Sequence, residues 1–163
     1  MRLSRKMNAM KYFWSILVSV LVCFSIGFSA SLFQAESLEG WYLFLNKPSI
    51  TPPGYVFPIA WGIIFICMGI SSGIAWHLPP KQFNKLLWPF AIQLLLNFTW
   101  SITFFTMQNP YLGFLNIALL DFFVILYTWR AFRINRTIAA LFIPYILWLT
   151  LATYLNGYIA VMN

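Results

Sequence analysis

The feature that most constrains this chain is a succession of apolar runs, each about twenty residues long, with little polar sequence between them. They fall at about Tyr12–Phe33, Pro58–His77, Leu87–Met107, Leu112–Trp129 and Thr137–Val161. A helix of about twenty apolar residues matches the hydrocarbon thickness of a bilayer, and it satisfies its own amides where no water can. The expected fold class is therefore all-α: a polytopic membrane protein with five transmembrane helices in a bundle, one domain over residues 1–163. Composition agrees. The chain is 61% hydrophobic and 8% charged, against about 25% charged in soluble domains.

The first run follows Arg2, Arg5, Lys6 and Lys11 and ends near small residues at Ser29–Ser31, a layout that also resembles a signal peptide. Its length suits a retained membrane span better than a cleaved leader. Five spans place the N-terminal tail, the second connection (Lys81, Lys85) and the fourth (Arg130, Arg133, Arg136) on one side, leaving Lys47 alone on the other. Basic residues gather on the cytoplasmic side of membrane proteins. The N-terminus is thus expected in the cytoplasm and the C-terminus across the cytoplasmic membrane. The net charge of +7 reads as topology, with no nucleic-acid partner implied.

Between the first two spans lies WYLFLNKPSITPPGYVFPIAW, from Trp41 to Trp61, with Pro48, Pro52, Pro53, Pro58 and Gly54 among six aromatic rings. Proline removes an amide donor and disfavours helix at the residue before it. Such a stretch has to fold against protein or sit at the interface, because unpaired backbone is expensive in lipid. The expectation is a stiff, Pro- and aromatic-rich loop that closes one end of the bundle and passes into helix at about Pro58. Pro79 and Pro80 are read as the stop of the second helix, and Pro144 as a kink in the fifth. Gly69 and Gly73 form a small-xxx-small pair suited to close helix packing.

The chemical inventory is short. His77 is the single histidine, and Asp121, Glu36 and Glu39 are the acids. Nothing in the spacing suggests a metal site or a resident cofactor. Asp121 falls at mid-span, where an ionisable group is either a functional contact or a hydrogen-bonded tie between helices. Helical spacing sets Trp61, Phe65, Met68 and Ser72 on one face of the second helix. It does the same for Gln93, Asn97, Trp100 and Phe104 on the third, and for Trp148, Ala152 and Leu155 on the fifth, with Asn156 at the margin. Faces that mix indoles with amides should turn inward. Together they describe either an aromatic pocket for a flat apolar ligand or plain helix packing with amide ties.

These strings resemble the translocator protein family, the tryptophan-rich sensory proteins. The resemblance rests on the Trp41–Trp61 loop continuing as WGIIFICMG, on QLLLNFTWSITFF (Gln93–Phe105), on Asp121, and on PYILWLTLATYLN (Pro144–Asn156), in that order. It implies a five-helix membrane bundle, homodimeric in bacterial members, that binds porphyrins, sterols and related flat apolar molecules beneath the first loop. By the same resemblance, ligand contacts fall on Tyr42, Pro53, Trp61, Phe65, Asn97, Trp100, Trp148, Ala152 and Leu155. Trp61 and Trp148 match two tryptophans linked to light-dependent porphyrin degradation, which would make porphyrin a substrate and these two indoles catalytic. Purely regulatory binding, or transport of porphyrin or sterol, are the alternative roles. Ile50 stands where the family often has tryptophan, and no basic residue follows Tyr158 where its proposed sterol motif has one.

Overall fold

A computed structural model describes residues 2–163, with side chains from residue 9 onward. Its helices are α1 (Arg2–Leu32), α2 (Ala35–Glu39), α3 (Val56–Ala75), α4 (Pro80–Ser101), α5 (Pro110–Phe132), α6 (Arg136–Ala140) and α7 (Ile143–Met162). A 3₁₀ turn at Trp41–Phe44 follows α2, and α4 continues into a π-helical turn at Ile102–Thr106. Five stretches are long and apolar enough to cross a membrane: Ala9–Leu32, Val56–Ala75, Pro80–Thr106, Pro110–Phe132 and Arg136–Met162. The protein is a five-helix membrane bundle, with α6 and α7 together forming the fifth span. The helices close a ring. α1 packs between α3 and α4, α5 packs on α4 and on α6 and α7, and α6 and α7 return to α3.

The prolines set the boundaries, and they move two of them from the positions expected. Pro80 does not only stop the second span; it starts the third, at the first helical position where its missing amide is harmless. The Pro79 carbonyl accepts from Gln82 (2.8 Å) and Phe83 (3.0 Å), so α4 begins well before Leu87. α5 likewise starts at Pro110, capped by Asn109, whose side-chain oxygen accepts from the Leu112 amide at 3.0 Å. At Pro144 the expected kink is a full break. α6 ends at Ala140, and Leu141 and Phe142 turn the chain while their amides bond to Thr137 (3.2 Å) and Ala139 (3.0 Å).

Pro89 lies inside α4, where it leaves the Lys85 carbonyl without its helical donor. The Arg130 guanidinium, from the end of α5, donates to that carbonyl at 3.1 Å and lies 4.6 Å over the Trp88 ring. Further along the bundle, Ser71 rather than Ser72 is the buried hydroxyl of α3. It pairs with the Tyr127 phenol (2.9 Å) and donates to the Ile138 carbonyl (3.0 Å), joining α3, α5 and α6.

α1 and α3 approach backbone to backbone at the glycine pair. A Cβ on Gly73 would fall 2.5 Å from the Ile16 Cα, and one on Gly69 the same distance from the Val20 Cα. Backbone cannot rotate aside as a side chain can. Gly73→Val should therefore cost about 1–3 kcal/mol, the range for overpacking a close contact. A thermal melt in detergent checks this, and an unchanged midpoint would mean that the two helices are free to part.

Candidate functional site

The loop between α1 and α3 is an ordered roof. Its first part is fastened to the end of α4. Gln34 donates to the Ser101 hydroxyl (2.7 Å), Ser37 to the Phe105 carbonyl (2.6 Å), and Thr106 to the Phe33 carbonyl (2.9 Å). Its middle is fastened to the last turn of α7. The Asn46 amide donates to the Asn163 side-chain oxygen (2.8 Å), while the side chains of Asn163 and Asn46 donate to the carbonyls of Asn46 (3.2 Å) and Met162 (3.3 Å). Lys47 folds back within the roof, donating to the Tyr42 carbonyl at 2.9 Å with its ammonium 4.5 Å above the Tyr42 ring.

Beneath the roof, the π turn of α4 presents two consecutive rings inward. The Met107 amide bonds to the Ile102 carbonyl at 2.8 Å, the i to i−5 pattern, and Phe104 and Phe105 are both buried and edge to face at 4.9 Å. Tyr42 packs on both, at 6.3 and 5.6 Å. Burial pushes the Tyr42 phenol above its ordinary range, which keeps it a neutral donor. Trp100 stacks on Phe104 (5.4 Å, 18°) and donates its indole N–H to Asn156 at 2.9 Å; Asn156 in turn donates to the Pro110 carbonyl at 3.0 Å.

Deeper in the bundle, Trp61 stacks on Phe65 (5.5 Å, 25°) and meets Tyr145 edge-on at 5.9 Å. Trp148 meets Phe57 edge-on at 5.4 Å. Asn97 donates to the Tyr145 hydroxyl at 2.8 Å. One turn before Asn97 on the same helix, Gln93 is fully buried, and neither atom of its amide has a partner among the described residues. A buried amide in that state is a hydrogen-bonding site held in reserve.

Of the residues expected at the site, Phe65 lies in one buried core and Trp61, Trp100, Trp148 and Ala152 pack against it; Asn97 joins it through Tyr145. Leu155 is buried on the same helix as Trp148. Tyr42 belongs to the roof cluster, which shares Trp100 with that core. Pro53 is placed differently: it is exposed, and its carbonyl accepts the Val56 amide at 2.9 Å in the turn that opens α3. Its part is to start a helix, not to line a ring of aromatics. Two contributors went unread. Phe57 stands four residues before Trp61 and Tyr145 three before Trp148, so helical spacing could have reached both.

Asp121 is held apart from these rings. Thr153 donates to its carboxylate at 2.7 Å, linking α5 to α7. The pair lines a cleft of about 240 Å³ with Ile125 and Thr150, both exposed, so the acid faces outward between two helices. Within the aromatic core the arrangement offers π-faces at several angles and amides at two depths, the recognition set for a flat, mostly apolar molecule with a few polar atoms.

Comparison with known proteins agrees with this architecture. The sequence model of the TspO/MBR family matches residues 19–162. The chain is 35% identical over 157 residues to the tryptophan-rich protein TspO of Chlorobaculum tepidum, covering 94% of this chain and 98% of that protein. It is 36% identical to the protein of the same name from Archaeoglobus fulgidus, covering 96% and 99%. It is 29% identical over 119 residues to the human translocator protein, covering 71% and 70%.

The position of Asp121 sets up a clear pair of variants. Asp121→Asn still accepts from Thr153 and should leave stability and the aromatic core unchanged. Asp121→Leu strands the threonine and should cost about 1–3 kcal/mol in a detergent melt. Equal midpoints for both variants would mean that the tie contributes nothing.

Proposed function

This chain is a member of the TspO/MBR family of membrane sensory and translocator proteins, and on that premise we propose that it binds porphyrins, flat tetrapyrroles, among the rings below its loop. One observation carries the reading: Phe57, Trp61, Phe65, Trp100, Tyr145 and Trp148, from three helices, turn their rings toward a shared core beside the amides of Asn97 and Gln93. In the reading offered here, a macrocycle enters by replacing ring-on-ring contacts with ring-on-macrocycle ones. Each aromatic contact of this kind contributes about 0.5–1.5 kcal/mol beyond its buried area, so the new contacts offset part of those given up. Gln93 gains a partner for its amide, and the porphyrin carboxylates lie toward Lys47 at the watered edge of the roof. Binding and sensing need nothing more.

Degradation under light is the further step of the same reading. Trp61 or Trp148 would pass an electron to the photo-excited porphyrin, with dioxygen as oxidant. An indole can stack and donate; phenylalanine can only stack. The test is an absorbance titration with protoporphyrin in the dark, then illumination under air, for wild type, Trp61→Phe, Trp148→Phe and the control Trp88→Phe. The expected result is near-wild-type affinity in all four and loss of product in the first two. Full turnover in those two would reject the indole mechanism, and no turnover in wild type would leave a binding protein. A wild type that does not bind protoporphyrin would overturn the reading itself.

The orientation belongs to the same proposal. With the basic connections in the cytoplasm, the roof and its ligand lie on the opposite face of the cytoplasmic membrane. Reporter tags at residues 1 and 163 should then read cytoplasmic and external. The reverse order would place the ligand site on the cytoplasmic face.

A further inference from the structure

At the end of the bundle away from the roof, α1 and the residues just after α3 border an open groove of about 550 Å³ that the ligand site does not use. Its volume falls in the range of small-molecule sites, about 300–1,000 Å³. Trp14 and Trp76, 55% and 52% exposed, line it together with Lys11, His77 and, two turns further along α1 from Lys11, Val18. This is the end that carries the basic connections, including Lys81 and Lys85 just beyond α3.

The rim is organised. The Ser15 hydroxyl lies 2.9 Å from the Tyr12 carbonyl, 3.1 Å from the Gly73 carbonyl and 2.9 Å from His77 Nε2. A hydroxyl has one proton and carbonyls can only accept, so the arrangement that makes the most hydrogen bonds has the serine donating to a carbonyl and accepting from His77. In that arrangement the hydrogen is on Nε2. The Tyr12 ring stacks on the imidazole at 3.7 Å and holds its plane. In the neutral ring of that tautomer Nδ1 is an acceptor without a partner among the described residues, and Lys11 lines the same groove.

We propose that this groove binds one anionic phospholipid of the adjacent leaflet, of the kind whose headgroup carries a hydroxyl, as phosphatidylglycerol does. The phosphate pairs with Lys11, the headgroup hydroxyl donates to His77 Nδ1, and an acyl chain runs along Val18 between the two indoles. Charge complementarity selects this occupant. Basic pockets between transmembrane helices recognise anionic headgroups, and tryptophan rings settle at that depth of the bilayer. The site is separate from the porphyrin reading and does not depend on it.

Native mass spectrometry of the full chain in detergent, with phosphatidylglycerol, phosphatidylcholine and phosphatidylethanol as probes, tests both contacts. Wild type should retain phosphatidylglycerol over the other two. Lys11→Gln, at an exposed position, should reduce the preference over phosphatidylcholine about fivefold, the ratio that one charge near a membrane surface is worth. His77→Phe should keep the preference for anions and lose that for phosphatidylglycerol over phosphatidylethanol, while Lys85→Gln should change neither. Equal retention of all three lipids by wild type, or an unaltered preference in Lys11→Gln, would overturn the proposal. An unaltered ratio of the two anionic lipids in a folded His77→Phe would remove the headgroup hydroxyl from it.

Discussion

Hydrocarbon offers an amide no partner, and every irregularity in this structure obeys that constraint. Pro58, Pro80, Pro110 and Pro144 all stand in the first turn of a helix, where a missing N–H costs nothing. The exception is instructive. Pro89 sits within α4, and the carbonyl it frees is met by a guanidinium from the neighbouring span. Arg130 thus serves the basic end twice, as part of its charge and as a replacement for a lost backbone bond. The break before α7 follows the same rule, since the turn residues bond backward before the helix resumes.

A bundle that satisfies its backbone this way still has to bring its rings together, and here local geometry does the work. A π turn opens the end of α4 so that Phe104 and Phe105 both face inward under the roof. Trp100, one turn earlier, is held by Asn156, which is itself anchored on the first residue of α5. The aromatic core is therefore a set of rings each oriented by a hydrogen bond or a neighbouring ring.

Much of this could be read along the chain. Five spans follow from run length, the close contact of α1 and α3 from Gly69 and Gly73, and the inward faces of three spans from the spacing of Trp61, Asn97 and Trp148. Reading failed where the cause is distant or cooperative. Ser71 and Ser72 differ by one position in a nearly symmetrical place, and only the Tyr127 phenol on another helix decides between them. Pro53, surrounded in sequence by aromatics, is exposed and turns the chain toward α3, a placement that only the Val56 amide reveals. The π turn has no compositional signature, since it arises from how the end of α4 meets the roof. Nor could the pairing of Asn46 with Asn163 be seen, because residues so far apart leave no periodic trace.

That last pairing has a consequence for how the loop can vary. Asn46 is pinned to the final turn of α7, and the Pro53 carbonyl fixes the entry to α3, so the segment between them is strung across two anchors. The exposed side chains of that segment, such as Ser49 and Ile50, can change while the two anchors are kept. A change of length there has to be taken up in the turn that the Thr51 amide closes on the Pro48 carbonyl at 3.0 Å, because both ends are held. The roof is thus held at both ends with a single turn between them, unlike a surface loop that is free along its length.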